Sequence, residues 1–225
     1  MEVMNKLWEE QNIPNNLREI MLVVIPKPDR DYGLLTSHRP ISLLSVYLKL
    51  MNAMIKESLT DFLDREGCIP ECSYGFVRKK SAIDCVNHLI VKIHELRNEG
   101  KEVMAVFLDL EDAFNKVNLL KLRCVMKDLK VPNQMNDWIM RCFGERRLNI
   151  ETVKGRISGN TYDGVPQGDV LSPLIFVMYT ISLFGCEIDT SKMLQFADDI
   201  VLLAWGNDII EARYSLQRTL NKFVN

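Results

Sequence analysis

The most informative stretch of the chain is MLQFADDIVLLA, residues 193–204, in which two adjacent aspartates interrupt an otherwise apolar run. The β-prone segments on either side of Asp198 and Asp199 predict a strand, a turn and a second strand. Burying an unpaired carboxylate is costly, so two of them in such a setting require a compensating partner. Carboxylate oxygens suit a divalent cation, magnesium above all. The alternative is an ordinary hairpin turn, in which Asp is common.

A second acid follows a second apolar run. Asp109 comes directly after VMAVFL, residues 103–108, which predicts a buried strand. If this strand and the one after the turn are neighbours, Asp109 and Asp198 converge at one edge of the sheet. Two acids there fit a pair of cations about 3.5–4 Å apart, one activating a hydroxyl and the other holding a triphosphate. Taken alone, Asp109 fits equally well as the N-cap of a following helix.

Size and composition limit the possible domain organisation and the classes of protein to which the chain can belong. The chain has 225 residues, 47% hydrophobic and 26% charged, which allows one large domain or two packed subdomains. Its net charge of -2 argues against a general nucleic-acid binder without excluding a local basic cleft. Scattered cysteines without zinc spacing favour reduced thiols and an intracellular protein. No apolar run approaches about 20 uncharged residues, so no membrane span is expected.

The rest of the pattern mixes helices and strands without strict βαβ order, which predicts an α+β architecture. Residues 27–40 are polar and turn-rich, which predicts a loop. Ser42 is placed to cap a long helix that ends at Gly67, and Ser81 to cap a second helix that ends at Gly100. Further predictions are helices over residues 119–129, 135–143 and 170–183, a β-hairpin around Gly155 from 146 to 162, and a last helix capped by Asn207.

The segment GVPQG, residues 164–168, is a third signal. Two glycines around Pro-Gln give a backbone that can approach a ligand closely, and Gln167 offers a polar amide beside it. The alternative is a plain turn that leads into the helix predicted from Val170.

Together these segments resemble reverse transcriptases. Three of them stand in the order of that family's palm motifs A, B and C: FLDLEDAF (107–114), GVPQGDVLSP (164–173) and FADD (196–199). The segments PKP (26–28) and HRPISLL (38–44) are similar to the fingers signature of non-LTR, LINE-type retrotransposon enzymes. SYGF (73–76) with Ser81 is similar to the next fingers motif. Five motifs in the family's order make the resemblance specific.

The resemblance implies a polymerase right-hand fold with fingers and palm only. An antiparallel palm sheet packed on helices is expected, with no thumb. The expected division gives residues 1–100 to an N-terminal extension and the fingers. Residues 101–225 are expected to form the palm with motifs A, B and C, truncated before the thumb.

The resemblance also implies a catalytic site. Asp109 and Asp198 are the expected principal ligands of two Mg²⁺ ions, for which Mn²⁺ can substitute, with Asp199 in support and the Leu110 carbonyl completing the metal shell. Phe114 is expected as the gate that rejects a 2′-hydroxyl, and simple core packing explains it equally well. The expected substrate contacts are Gln167 and Gly168 at the templating base pair and incoming nucleotide, Arg39 near the triphosphate or template, and Arg78, Lys79 or Lys80 as a nearby basic residue.

Departures from the family pattern leave two functions open. Val77 stands where the family usually has Arg, and the basic run after it reads alternatively as a solvated surface. Asp169 stands where the family usually has Ser, and a carboxylate repels a triphosphate unless it points away or binds a cation. Asn225 is the last residue, where the family continues into a lysine motif and the thumb.

The first hypothesis is therefore an RNA-directed DNA polymerase domain that adds dNTPs to a DNA primer on an RNA template, with no membrane partner. The second is a truncated, catalytically inactive retroelement remnant or a nucleic-acid-binding module.

Overall fold

A computed structural model describes residues 2–34 and 37–224 of the chain. The middle of the predicted 27–40 loop and the chain end at Asn225 lie outside the described residues. The helices and strands, in chain order, are α1 (Glu2–Glu10), β1 (Glu19–Pro26), β2 (His38–Leu43), α2 (Val46–Arg65), α3 (Ala82–Asn98), β3 (Glu102–Asp109), α4 (Leu119–Asp128), α5 (Asn133–Phe143), β4 (Arg146–Thr152), β5 (Gly155–Thr161), α6 (Ser172–Thr180), β6 (Ser191–Phe196), β7 (Asp199–Gly206) and α7 (Ile209–Val224). None of the helices in these ranges is long and apolar enough to cross a membrane.

The chain divides into two compact units. Unit 1 consists of Met1–Glu66 and Phe114–Phe176, and unit 2 of Gly67–Ala113 and Val177–Asn225. Each unit therefore draws on two separate stretches of sequence, and each contains its own β-sheet. The predicted boundary near residue 100 rests on the family resemblance and stays a prediction.

Unit 1 contains a four-stranded sheet in the order β2-β1-β4-β5. Strand β1 runs antiparallel to β2, with Val23 opposite Ile41, and parallel to β4. Strands β4 and β5 form the predicted hairpin, in which Gly155 takes a positive φ of 116° at the turn. The predicted loop is too long at its C-terminal end, because residues from His38 onward pair with β1 as a strand.

Helix α2 begins later than predicted. Ser42 lies in β2, where its N–H donates to the Gln167 carbonyl at 2.6 Å, and Ser45 is the residue that precedes the helix. Tertiary strand pairing thus overrides the local cap signal. The helix ends just before Gly67, as predicted. The buried apolar residues of α2 are Leu48, Met51, Ile55, Leu59 and Leu63.

Unit 2 contains a three-stranded antiparallel sheet in the order β3-β7-β6. This is the predicted antiparallel sheet packed on helices. One core cluster includes Met193, Ile200, Leu202, Ala204 and Leu216, the last of them on α7. A second cluster includes Tyr74, Leu194 and Val201, against which Leu89 of α3 packs.

Strand β3 forms where predicted but is not buried on both faces. Phe107 is 74% exposed, whereas Met104, Val106 and Leu108 pack against the first core cluster of unit 2. The continuous apolar run therefore predicts the strand correctly and the burial wrongly, because only one face of β3 meets that core.

The helix ends of unit 2 follow local chemistry closely. Ser81 caps α3 as predicted, in a reciprocal box in which its hydroxyl accepts from the Asp84 N–H and its own N–H donates to the Asp84 carboxylate. The cap of α7 is Asp208 rather than Asn207, since Asp208 accepts from the Glu211 N–H at 2.8 Å. The helix predicted over 170–183 is shorter, since α6 ends at Thr180 and a 3₁₀ helix follows over Ile181–Cys186.

Candidate active site

Four of the predicted site residues meet where β3 ends and β7 begins. The register sets Asp109 directly opposite Asp199, so the two side chains share one face of the sheet. Asp198 precedes β7 in the turn, and its carbonyl accepts from the Leu110 N–H at 3.3 Å. The neighbouring strands assumed from the sequence are therefore observed, and they bring Asp109, Leu110, Asp198 and Asp199 together.

The carboxylates at this position are not buried. Asp109 and Asp199 are exposed, and Asp198 is half-buried. The desolvation argument made from the sequence is therefore wrong in its premise, because the apolar neighbours turn inward and leave two of the acids exposed and the third half-buried. Across residues 2–34 and 37–224, no three His, Cys, Asp or Glu side chains are grouped so that they could hold a metal ion.

In unit 1, the Gly164–Gly168 loop is shaped by close contact between chain segments. Gly164 has a φ of 75°, and a Cβ there would lie 2.7 Å from the Asn115 carbonyl oxygen. Gly168 has a φ of 108°, and a Cβ there would lie 2.8 Å from the Ser42 carbonyl oxygen. Both positions therefore require glycine for the fold alone. Within the loop, Gln167 is half-buried and Gly168 is exposed.

Asp169 follows this loop and is buried, with 3% of its surface exposed. One carboxylate oxygen accepts from the Asn52 amide at 2.6 Å and the other from the Leu171 N–H at 2.7 Å. Burial raises the pKa of Asp169, and these two hydrogen bonds oppose that rise. The carboxylate that departs from the family pattern is thus engaged by donors of its own unit.

Arg146 is a further residue of this region, and sequence reasoning missed it. Its buried guanidinium donates to the carbonyls of Gly144, Asp163 and Gly164 at 3.3, 2.6 and 2.9 Å. Burial lowers its pKa to about 10. Arg146 lines a cavity of about 300 Å³ together with Asn115 and Gln167. An arginine at a strand start gives no sequence signal of burial, so only the structure identifies it as the anchor of this loop.

The remaining predicted site residues are placed as follows. Phe114 stacks on Phe176 with ring centroids 5.0 Å apart and an interplanar angle of 25°. Arg39 is exposed on β2, opposite Ile25, and Arg78 is exposed in the segment before α3. Lys80 is engaged in hydrogen bonds within unit 2, because its ammonium donates to the carbonyls of Pro70, Glu71 and Ser73. Arg39, Phe114, Gln167 and Gly168 belong to unit 1, whereas Arg78, Asp109, Leu110, Asp198 and Asp199 belong to unit 2.

Comparison with solved structures defines the class. The telomerase of Candida tropicalis, truncated from its C-terminal domain, matches with a TM-score of 0.66 and 12% sequence identity, over 100% of this chain and 52% of that one. A telomerase from Candida albicans, solved with a fragment of telomeric RNA, matches with a TM-score of 0.65 and 12% identity, over 98% of this chain and 43% of that one. The chain therefore has the right-hand polymerase fold.

The family follows from the sequence comparison. The model of the family "Reverse transcriptase (RNA-dependent DNA polymerase)" matches residues 25–225, so the chain belongs to that family. The probable RNA-directed DNA polymerase from transposon BS of Drosophila melanogaster is 30% identical over 97% of this chain and 25% of its own length. The polymerase from mobile element jockey of Drosophila funebris is 24% identical over 98% of this chain and 25% of its own.

A third relative comes from a different element. The Pol polyprotein of the R2 retrotransposable element of Nasonia vitripennis is 28% identical over 97% of this chain and 21% of its own length. These relatives confirm the resemblance to non-LTR retrotransposon enzymes. The chain spans about a quarter of the length of the relatives it matches.

Proposed function

We propose that this chain carries the nucleotidyl-transfer centre of an RNA-directed DNA polymerase, with an RNA template, a DNA primer and dNTPs as its partners. The observation that carries the proposal is the register of unit 2, which sets Asp109 opposite Asp199 and places Asp198 in the adjoining turn. Because these acids stand at the ends of hydrogen-bonded strands, their backbone positions are fixed before any ligand arrives.

The donors present suit magnesium. Asp109, Asp198 and Asp199 offer carboxylate oxygens that are exposed or half-buried, and Leu110 offers a backbone carbonyl on the same strand end. An all-oxygen set of this kind fits Mg²⁺, which keeps part of its shell for water and phosphate oxygens, and Mn²⁺ is its usual substitute. Two such ions, when bound, acidify the primer 3′-hydroxyl and neutralise the developing charge on the triphosphate.

The other proposed contacts assign one task to each residue. The Gln167 amide and the Gly168 backbone contact the templating base pair and the incoming nucleotide. Arg39 and Arg78 pair with phosphate oxygens, which the guanidinium fork suits. Phe114, held by stacking on Phe176 in unit 1, is the gate against a 2′-hydroxyl. In this proposal residues 1–100 are the extension and fingers, and residues 101–225 are the palm.

The alternative, an inactive remnant or a nucleic-acid-binding module, rested partly on Asp169. That carboxylate is buried and hydrogen-bonded to Asn52 and Leu171, so it is not a free charge facing solvent. The relatives named above as RNA-directed DNA polymerases support the first reading.

Primer extension tests the proposal. The purified chain is given a DNA primer on an RNA template, dNTPs and Mg²⁺, and full-length products are measured over time. Asp198→Ala is expected to lower the rate on the order of 10²–10³-fold, as loss of a group that stabilises transition-state charge does. Asp128→Ala, at an exposed position on α4, is the matched control and is expected to extend as the wild type does. Binding of the primed template without extension would instead support the nucleic-acid-binding module.

A further inference from the structure

The turn that carries Asp198 and Asp199 has an unfavourable backbone conformation. Ala197 has a φ of 56°, in the left-handed region that residues with a Cβ avoid. It is only 8% exposed, so water does not supply its hydrogen bonds freely. A residue held in this way persists only where its surroundings compensate for the strain. Two neighbours in unit 2 do so.

The first neighbour is Gln195, a residue that is 1% exposed. Its amide nitrogen donates to the Ala197 carbonyl at 2.8 Å and to the Thr180 hydroxyl at 3.0 Å, and the same hydroxyl oxygen lies 3.2 Å from the Gln195 amide oxygen. The Thr180 hydroxyl donates in turn to the Val177 carbonyl at 3.0 Å. The opposite orientation of the amide is excluded, because its oxygen would face the Ala197 carbonyl oxygen without a hydrogen between them.

The second neighbour is Gly75. A Cβ at this position would lie 2.1 Å from the Ala197 nitrogen and 2.9 Å from its Cα, a distance at which the turn would have to move. The segment before Gly75 is itself aligned on β6: the Gln195 N–H donates to the Cys72 carbonyl at 2.9 Å, and the Tyr74 N–H donates to the Gln195 carbonyl at 2.8 Å.

Lys80 holds that segment in place. Its ammonium donates to the carbonyls of Pro70 and Ser73 at 3.4 and 2.9 Å, and also to that of Glu71. It lies 5.0 Å from the centre of the Tyr74 ring. The backbone that precedes Gly75 is therefore held by two neighbours, β6 and Lys80.

We infer that Gln195 and Gly75 are positioning residues that together form a turn clasp, which holds Ala197 in its left-handed conformation and thereby keeps Asp199 opposite Asp109 and Asp198 in the adjoining turn. Gln195 restrains the turn through the Ala197 carbonyl, and Gly75 leaves the space that the Ala197 backbone occupies. The catalytic consequence rests on the proposed function, whereas the restraint on the turn does not.

Amide hydrogen exchange tests the restraint. Gln195→Met keeps the length of the side chain and removes both amide hydrogens, and it is expected to speed exchange at residues 197–199 about tenfold. Gln217→Met makes the same chemical change at an exposed position on α7 and is expected to leave those amides unchanged. Exchange at 197–199 that is equal in Gln195→Met and the wild type overturns the clasp.

A steric variant tests the role of Gly75 in the clasp. Gly75→Ala is expected to speed exchange at the same amides, since its Cβ displaces the Ala197 backbone. Gly185→Ala is the matched control, because a Cβ there meets nothing within 4 Å. If Gly75→Ala folds and its amides exchange at the wild-type rate, Gly75 is not part of the clasp. If this variant fails to fold, Gln195→Met still decides the inference.

Kinetics separate positioning from a merely structural role. In primer extension, Gln195→Met is expected to lower kcat about tenfold and raise the Mg²⁺ concentration for half-maximal rate, with the KM for dNTP unchanged. A merely structural role would reduce the amount of folded chain and leave the Mg²⁺ dependence of the rate unchanged. That result would contradict the inference. If the wild-type chain does not extend a primer, the proposed function is contradicted. The hydrogen-exchange measurement still tests whether the clasp restrains the turn.

Discussion

Two acidic turns of this molecule use the same side chain in opposite ways. At Phe196–Asp199 in unit 2, the carboxylates of Asp198 and Asp199 are half-buried and exposed, while the backbone beneath them is held by buried donors. After Gly164–Gly168 in unit 1, Asp169 is buried and both of its oxygens accept hydrogen bonds from its own unit. An exposed carboxylate keeps its lone pairs for a cation, whereas a buried and satisfied one stabilises a loop.

The largest expected effect separates chemistry from stability at Asp109, the residue opposite the first turn. Asp109→Asn is expected to lower the rate of primer extension on the order of 10²–10³-fold, because one ligand of the proposed metals is lost. The free energy of unfolding, measured by urea titration, is expected to change by less than about 0.5 kcal/mol, since Asp109 is exposed. A large loss of stability in this variant would contradict the distinction between the two turns.

At the second turn, a substitution of the carboxylate is expected to lower the free energy of unfolding. Asp169→Asn leaves the Asn52 amide or the Leu171 N–H facing a donor, so the chain is expected to lose about 1–3 kcal/mol of unfolding free energy. Asp128→Asn, at an exposed position on α4 of the same unit, is the control and is expected to change stability by less than about 0.5 kcal/mol. Equal urea midpoints for the two variants would show that Asp169 does not stabilise its loop.

The pH dependence of stability tests the buried carboxylate of the second turn, Asp169. Burial raises the pKa of Asp169 above its ordinary value of 3.8, so the folded chain binds this proton more tightly than the unfolded chain. Its favourable contribution is complete below 3.8 and is lost as pH rises through the raised folded pKa. The stability difference between wild type and Asp169→Asn is therefore expected to shrink across that interval. A difference that grows with pH would contradict the assigned direction.

A smaller effect on stability is expected at Trp138, which contacts Asn52, the hydrogen-bond partner of Asp169. The Trp138 indole N–H donates to the Asn52 carbonyl oxygen at 3.0 Å, which orients the amide toward the carboxylate. Trp138→Phe removes this donor and part of a fully buried ring, so a loss of at least about 1 kcal/mol is expected from the hydrogen bond alone. Calorimetry can also show whether Trp138→Phe and Asp169→Asn are less than additive, as members of one network should be.

The sequence predicts those parts of the fold that local chemistry determines. The strand–turn–strand around Asp198, the hairpin around Gly155 and the Ser81 cap of α3 all depend on residues a few positions apart. The helix cap predicted at Ser42 is wrong because its strand pairs with β1, which no local signal shows. The burial predicted for Phe107 is wrong because an apolar run does not reveal which face of a sheet stays uncovered.

The site is predictable to a similar extent. The strand-end position of Asp109 and the turn at Asp198 follow from the pattern, and the family order joins them. The supporting residues do not follow from it, since their partners are distant in sequence: Asn52 and Asp169 are 117 positions apart. Gln195 had a signal, as a lone amide inside an apolar run. Thr180, which contacts Gln195, and Gly75, which contacts Ala197, come close to this turn only when the sheet and its flanking segment are assembled.

The most direct measurement is a Mn²⁺ titration followed by electron paramagnetic resonance at neutral pH, on the wild type, Asp198→Asn, Asp199→Asn and Asp169→Asn. The wild type is expected to bind Mn²⁺, the two variants of the first turn to bind at least about tenfold more weakly, and Asp169→Asn to bind as the wild type does. Equal affinity in all four proteins, or a loss confined to Asp169→Asn, would contradict the assignment of the metal centre to the paired ends of β3 and β7.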